Sequence, residues 1–436
     1  MLRRLTAPSG IFLLAAGIYV ATSAGRLYSS GAEQHYGNHY VHLARSYLRG
    51  ELQVVGNRPP GGNDYAVYNG KWYVSFPPFP AIVLLPFVAI WDLRTPDRLI
   101  WNLFAGLAPA LLYVLLRSLR ERKHSVRTSR DDLLLTLLFA FGSVYYFSAV
   151  QGTVWFAGHV VVCVLSCLYL LWSIDAQRPF LAGLVLGLAF VSRPTTAPLA
   201  LVFIGEAFQK YYLTRKASVG IAHDSHRSTR WMTQIDWAAF SRVVLCFAAP
   251  ILIIGIAAMW MNVSRFDDVF EFGHRYLHIR WQPRIERWGL FSYHYLGRNL
   301  AVFLASLPWI LDHAPFVRIS GHGLALWFTT PNLLGLLWPK HMTFTMRFLY
   351  VAVIAVALLD LLYQNTGWVQ FGYRFALDYF ILCMVLLALG RRQFGTTFRA
   401  LAIFSVVVNT YGAITFDRVP SVYDIEPTQQ VLFQPD

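Results

Sequence analysis

Residues 77–91, Pro77-Pro78-Phe79-Pro80-Ala81-Ile82-Val83-Leu84-Leu85-Pro86-Phe87-Val88-Ala89-Ile90-Trp91, decide how this chain is threaded. The stretch is apolar enough for lipid. Its roughly 15 residues, however, fall short of the about 20 that a helix needs to cross a hydrocarbon core about 30 Å thick. Its prolines fix the chain's entry and remove backbone donors at the start. If the stretch crossed, the loop carrying Arg117, Arg120, Arg122, Lys123, Arg127 and Arg130 would lie outside, against the preference of short basic loops for the cytoplasmic side. Residues 77–91 are therefore expected to lie along the outer interface as a short helix.

From that decision the rest of the topology closes. Residues near 10–27 follow Arg3-Arg4 and read as an uncleaved first span rather than a signal peptide, with the N-terminus inside. Further spans are expected near 98–117, 132–149, 154–174, 180–193, 195–209, 239–261, 321–338, 346–364, 374–390 and 399–416, giving about eleven. Arg193-Pro194 divides the pair within 180–209 into two short halves, and a single kinked helix there would invert everything downstream. The expected fold class is an all-α polytopic membrane protein. Residues 1–436 form one transmembrane domain with two large outer loops, 28–97 and 262–320. No internal repeat is evident.

Composition agrees. Of 436 residues, 56% are hydrophobic and 14% charged, against about 25% charged in soluble domains. The net charge of +14 would suggest nucleic acid in a soluble protein, but here much of it lies in short loops that orient spans, so no nucleic-acid partner is expected. Cys163, Cys167, Cys246 and Cys383 all fall in apolar runs and are placed neither for a loop disulfide nor for a metal cluster.

The second outer loop departs from the charge rule. It carries Arg265, Arg275, Arg280, Arg284, Arg287, Arg298 and Arg318, and no lysine. The planar fork of arginine suits phosphate, and Arg275 is taken as the representative substrate-binding candidate. Lipid headgroups, or Asp267, Asp268, Glu271 and Glu286, are the plainer partners.

The first outer loop reads Glu33-Gln34-His35-Tyr36-Gly37-Asn38-His39-Tyr40-Val41-His42-Leu43-Ala44, running on to Leu48 and Gly50. It continues through Asn63-Asp64-Tyr65-Ala66 and Tyr68-Asn69-Gly70-Lys71-Trp72-Tyr73. Later come Gln151-Gly152-Thr153-Val154-Trp155-Phe156-Ala157-Gly158-His159, Ser192-Arg193-Pro194 and Phe371-Gly372-Tyr373-Arg374-Phe375-Ala376-Leu377-Asp378. Together these resemble the GT-C membrane glycosyltransferases of the protein O-mannosyltransferase and aminoarabinose-transferase type. In those enzymes an amphipathic juxtamembrane helix (here Tyr40, Ala44, Leu48, Gly50) and a Pro-Pro element follow the first span. The resemblance implies a polyprenyl-phosphate sugar donor, inverting transfer to a lipid, glycan or protein acceptor, and a carboxylate base in the first outer loop. It also implies a plasma (inner) membrane with the active site on the non-cytoplasmic face. The family's acid would align near Tyr36-Gly37, where this chain has none; Glu33 and Asp64 are equal candidates for it.

Substrate-binding candidates are His39, His42, Lys71, Tyr73, His159, Arg193, Arg275, Arg374 and Asp378. Arg374 is expected on the phosphate, with Asp378 at i+4 bracing it. Lys71 would add a point charge, although an interfacial lysine is the plainer reading, and Tyr73 would stack on a sugar, although tyrosine also belongs at membrane interfaces. His159 reads either as a buried hydrogen-bonded histidine or as a pocket residue. His35, His39 and His42 share the spacing of one helix face, so a divalent metal stays open, but without a cysteine or a well-spaced carboxylate no metal site is assigned. Two competing functions stand beside the transferase: a transporter or flippase of lipid-linked saccharides, and a non-catalytic lipid-binding subunit.

Overall fold

The computed structural model describes residues 7–29, 37–56, 59, 63–218 and 236–425. Glu33 and His35 lie outside them. The chain opens with α1 (Pro8–Ser29), then α2 (His39–Leu48), the hairpin β1 (Tyr65–Tyr68) and β2 (Lys71–Val74), and α3 (Phe79–Trp91). α4 (Asp97–Ala105) and α5 (Leu107–Glu121) make one crossing, followed by α6 (Ser129–Phe141), α7 (Tyr145–Ala149), α8 (Val154–Ser173), α9 (Pro179–Phe190), α10 (Ala200–Ser218) and α11 (Trp237–Phe266). The second large loop holds α12 (Gln282–Trp288), α13 (Leu296–Ala305), β3 (Trp309–Ile310) and β4 (Val317–Ser320). After it come α14 (Leu326–Thr329), α15 (Phe344–Leu362), α16 (Leu377–Leu389), α17 (Thr396–Thr415) and the short β5 (Tyr423–Asp424).

Among the described residues six helices are long and apolar enough to cross a membrane, and α9 is a shorter apolar helix. Two further expected spans are irregular. Residues 132–149 divide at Gly142 into α6 and α7. Residues 321–338 form no continuous helix: they consist of the four-residue α14 and a 3-10 stretch, Pro331–Leu337. Pro331 interrupts the helical hydrogen bonds there, and irregular backbone is tolerated at depth where protein rather than lipid surrounds it. Asn409 supplies part of that surround by donating to the Thr329 carbonyl (2.7 Å).

Arg193-Pro194 produces two helices and not one kinked helix. α9 stops at Phe190, a 3-10 turn spans Pro194–Leu199, and α10 returns to the end where α9 began. There Lys210 Nζ donates to the Asp175 and Ala176 carbonyls (3.2 and 3.3 Å), and the Asp175 amide donates to Glu206 (2.8 Å).

α8 and α16 form the centre. Every residue of α16 is buried, and 83% of the apolar window of α8 is buried, whereas α11 leaves most of its apolar surface open. A helix apolar all round belongs in a core; one with a broad bare apolar face in such a chain faces lipid. α9 packs on α11 through Gly183 and Gly187. A Cβ at Gly183 would stand 1.9 Å from the Phe247 carbonyl oxygen, so the two backbones approach as only glycine allows.

One end of the bundle is basic. Arg127 caps α16 by donating to the carbonyls of Leu387 (2.7 Å), Ala388 (3.2 Å) and Arg392 (2.5 Å), with its guanidinium 3.7 Å from the Phe394 ring. Arg122 binds Asp175 (3.1 Å), and the Lys340 amide donates to Gly390 (2.9 Å). At the opposite end the two large loops interlock. The His278 amide donates to Tyr65 (2.9 Å), Tyr68 donates to Asp267 (3.0 Å), and Tyr73 packs on Phe266 (5.1 Å).

Candidate functional site

The interlocked end holds a buried ionic cluster. α9 stops because Pro194 follows, leaving Arg193 extended (φ −150°, ψ 100°) and its side chain turned into the protein. Asp378 stands in the first turn of α16, where the helix amides favour a carboxylate. It accepts from Arg193 Nε (3.0 Å) and Nη2 (2.8 Å), from Thr195 (2.5 Å), and is paired with His159 Nδ1 (2.9 Å). Asp360 lies 3.8 Å from Arg193 Nη2. With both oxygens engaged, Asp378 is a positioning group for Arg193.

Asp378 therefore does not brace Arg374, as the i+4 spacing suggested. Arg374–Ala376 is a 3-10 turn preceding α16, which breaks the helical phase between the two. Arg374 Nη1 instead donates to the Val369 carbonyl (3.0 Å) and to the Gly367 carbonyl. Its amide donates to Gln370 Oε1 (3.0 Å), and its guanidinium lies 4.8 Å from the Phe156 ring. Gly367 adopts φ +102°, a conformation that turns the loop without strain only for glycine. Gln370, which also donates to His322 and Thr366 carbonyls (2.8 and 2.7 Å), is the brace sequence reading missed. Arg374 Nε is buried without a hydrogen-bond partner.

Asp64 joins this end from the first loop. It has φ 59°, which aspartate tolerates better than most residues. Trp155 Nε1 (2.7 Å) and Asn63 Nδ2 (3.0 Å) both donate to its Oδ2, leaving Oδ1 without an assigned donor. His39 sits beneath, its Nε2 2.9 Å from the Asn63 carbonyl and its ring stacked on Tyr65 at 4.2 Å; His42 lies edge-on to the same Tyr65 at 6.2 Å. Gly37 (φ +105°) makes the close approach possible, since a Cβ there would meet the Trp155 ring at 2.8 Å. Burial raises the Asp64 carboxyl above its ordinary range, while the Trp155 and Asn63 hydrogen bonds and the positive charge of Arg374 pull it back.

Asp64, His39, His159, Arg193, Arg374 and Asp378 thus gather at one end, with His42 behind His39. Three expected residues do not join them. Lys71 is exposed at the turn of the β1–β2 hairpin, opposite the end that carries Asp64. Tyr73 is buried against Phe266 and presents no open ring face to a sugar. Arg275 is exposed beside Glu271 (3.4 Å). The second loop buries other arginines: Arg265 donates to the Val74 carbonyl (3.1 Å), and Arg284 and Arg298 lie against Tyr295. Among the described residues no group of three or more His, Cys, Asp or Glu is arranged to hold a metal ion.

Fold and site together define a polytopic helical membrane protein with a buried guanidinium–carboxylate cluster under two interlocked loops. No family model matches the chain, and no curated protein matches it in sequence. Among solved structures it is similar to the oligosaccharyltransferase of Archaeoglobus fulgidus in the apo form (14% identity, TM-score 0.49, 97% of this chain and 57% of that one). It is similar also to oligosaccharyltransferase AglB of Archaeoglobus fulgidus in complex with an inhibitory peptide and a dolichol-phosphate (12%, 0.47, 97% and 56%). A third is ArnT from Cupriavidus metallidurans bound to undecaprenyl phosphate (13%, 0.44, 86% and 60%). The chain spans less than two thirds of the length of each of these proteins.

Proposed function

We propose that this chain is a GT-C-type membrane glycosyltransferase that moves a sugar from a polyprenyl phosphate to a lipid, glycan or protein hydroxyl. The observation that carries the reading is Asp64. Both neighbouring donors fall on one oxygen, and a buried arginine with a spare N–H stands within electrostatic reach. A raised carboxylate is a better base than an ordinary one. In this reading Asp64 Oδ1 takes the proton of the acceptor hydroxyl as the hydroxyl oxygen bonds to the anomeric carbon. The bond from that carbon to the phosphate oxygen breaks, its electron pair stays on the phosphate, and Arg374 stabilises the charge with Arg193 held beside it by Asp378. Attack opposite the leaving group inverts the anomeric centre. The basic loops at the far end, with Arg122, Arg127, Lys340 and Arg392, support a site facing the non-cytoplasmic side of a plasma membrane.

The test is transfer of radiolabelled sugar from a panel of polyprenyl-phosphate sugars, for wild type, Asp64→Asn and Glu33→Gln. Asp64→Asn is expected to lower turnover by 10²-fold or more with donor binding kept. Loss on Glu33→Gln alone would move the base to that residue. The irregular 321–338 crossing favours a second reading, transport of a lipid-linked saccharide. Saccharide flipping in proteoliposomes that persists in Asp64→Asn would support it over transfer.

A further inference from the structure

Arg284 on α12 and Arg298 on α13 are each 7% exposed, and they share one residue, Gln364. Arg284 Nη2 donates to Gln364 Oε1 (3.0 Å), Arg298 Nη2 to the Gln364 carbonyl (2.7 Å), and Arg298 Nε to Asn299 Oδ1 (3.3 Å). Both guanidiniums lie by the Tyr295 ring, at 5.9 and 5.6 Å from its centre. Arg284 Nε and Nη1 are buried with no hydrogen-bond partner. Among the described residues no carboxylate pairs with either arginine.

Two adjacent buried cations without an anion repel each other and forfeit hydration, a costly arrangement unless something completes it. Burial lowers both guanidinium groups, Arg298 to about 9 with the neighbouring Arg284 charge adding to the effect. The pair is also rigidly mounted. Asn299 Nδ2 donates to the Leu361 and Tyr363 carbonyls (2.8 and 2.7 Å), and the Tyr295 hydroxyl donates to the Gly289 carbonyl (2.8 Å). Donors fixed in advance bind an anion without an ordering cost.

We infer that Arg284 and Arg298 form an oxyanion site of the phosphate class, distinct from the site around Asp64 and Arg374. The forked donors of two guanidiniums match a tetrahedral anion carrying more than one charge. The site adjoins the first one. Tyr363, next to Gln364, lies 5.8 Å from Phe375, whose ring lies 5.0 and 5.5 Å from the Arg193 and Arg374 guanidiniums. A substrate reaching both would carry a second anionic group. The inference does not depend on sugar transfer.

The experiment is binding to the purified full chain in nanodiscs of zwitterionic lipid, titrated separately with inorganic phosphate, pyrophosphate, a polyprenyl monophosphate and phosphatidylglycerol. Wild type is compared with Arg284→Gln, Arg298→Gln and the exposed control Arg318→Gln. At least one ligand is expected to bind wild type and Arg318→Gln alike and to lose tenfold or more in affinity in each of the other two variants. The responding ligand identifies the source: free phosphate, a diphosphate, a prenyl carrier or a bilayer headgroup. No binding to wild type, or equal binding to all variants, would overturn the site. Should the Gln variants fail to fold, Arg284→Lys and Arg298→Lys keep the charge and remove the fork, and unchanged affinity in both would equally overturn it. Phosphate binding without any sugar transfer would leave this site standing and remove the transferase reading.

Discussion

Asp64 and Asp378 are both buried acids near arginines, yet their surroundings assign them different work. Asp378 has donors on both oxygens, whereas Asp64 keeps Oδ1 open and is raised by burial. If ionised Asp64 is the base, activity is lost as pH falls through its raised value, so the acid limb should lie above that of an ordinary carboxylate. Trp155→Phe removes a hydrogen bond that favours the ionised form and should move that limb to still higher pH. A pH–rate profile of kcat/KM for both proteins checks the sign, and an unmoved limb would exclude Asp64. For Asp378 the expected effect is on stability and Arg193 geometry. Asp378→Asn removes the carboxylate that Arg193 binds directly, leaving only Asp360 at 3.8 Å, and should cost about 3–5 kcal/mol. Thermal unfolding in one detergent reads this, with Arg193→Met/Asp378→Asn expected to recover part of the loss.

Elements explain which sequence signals were legible. The Arg193-Pro194 break could be read in advance because proline cannot continue a helix, and the structure turns there into two helices. The i+4 link of Arg374 to Asp378 failed because a 3-10 turn, set by loop contacts to Gln370 and Gly367, replaces the first helical turn. The irregular 321–338 crossing was hidden because it is stabilised by side chains far away in sequence, such as Asn409. The α9–α11 contact is of the same long-range kind. Gly183→Leu would drive a side chain into the Phe247 carbonyl and should destabilise the protein by about 1–3 kcal/mol or force the helices apart. Thermal unfolding beside the control Gly255→Leu separates packing from composition, because nothing lies within 4 Å of a Cβ at Gly255.

Across the whole molecule, the basic end and the site end are opposite. Single cysteines introduced into a cysteine-free background as Lys71→Cys and Lys123→Cys should react oppositely with a membrane-impermeant thiol reagent on intact cells. Lys71→Cys should label from outside, and Lys123→Cys only after lysis. The reverse pattern would turn the site to the cytoplasm. The apolar runs and proline breaks by themselves determined that the chain is helical and polytopic. These are local quantities, set by the length of an apolar run and the proline that breaks it. Which of the arginines would be buried, that Asp378 serves Arg193, and that Asp64 meets Trp155 and the field of Arg374 were decided only by the tertiary structure. Each depends on residues scores of positions apart, and on which donors remain unmatched once the helices have packed.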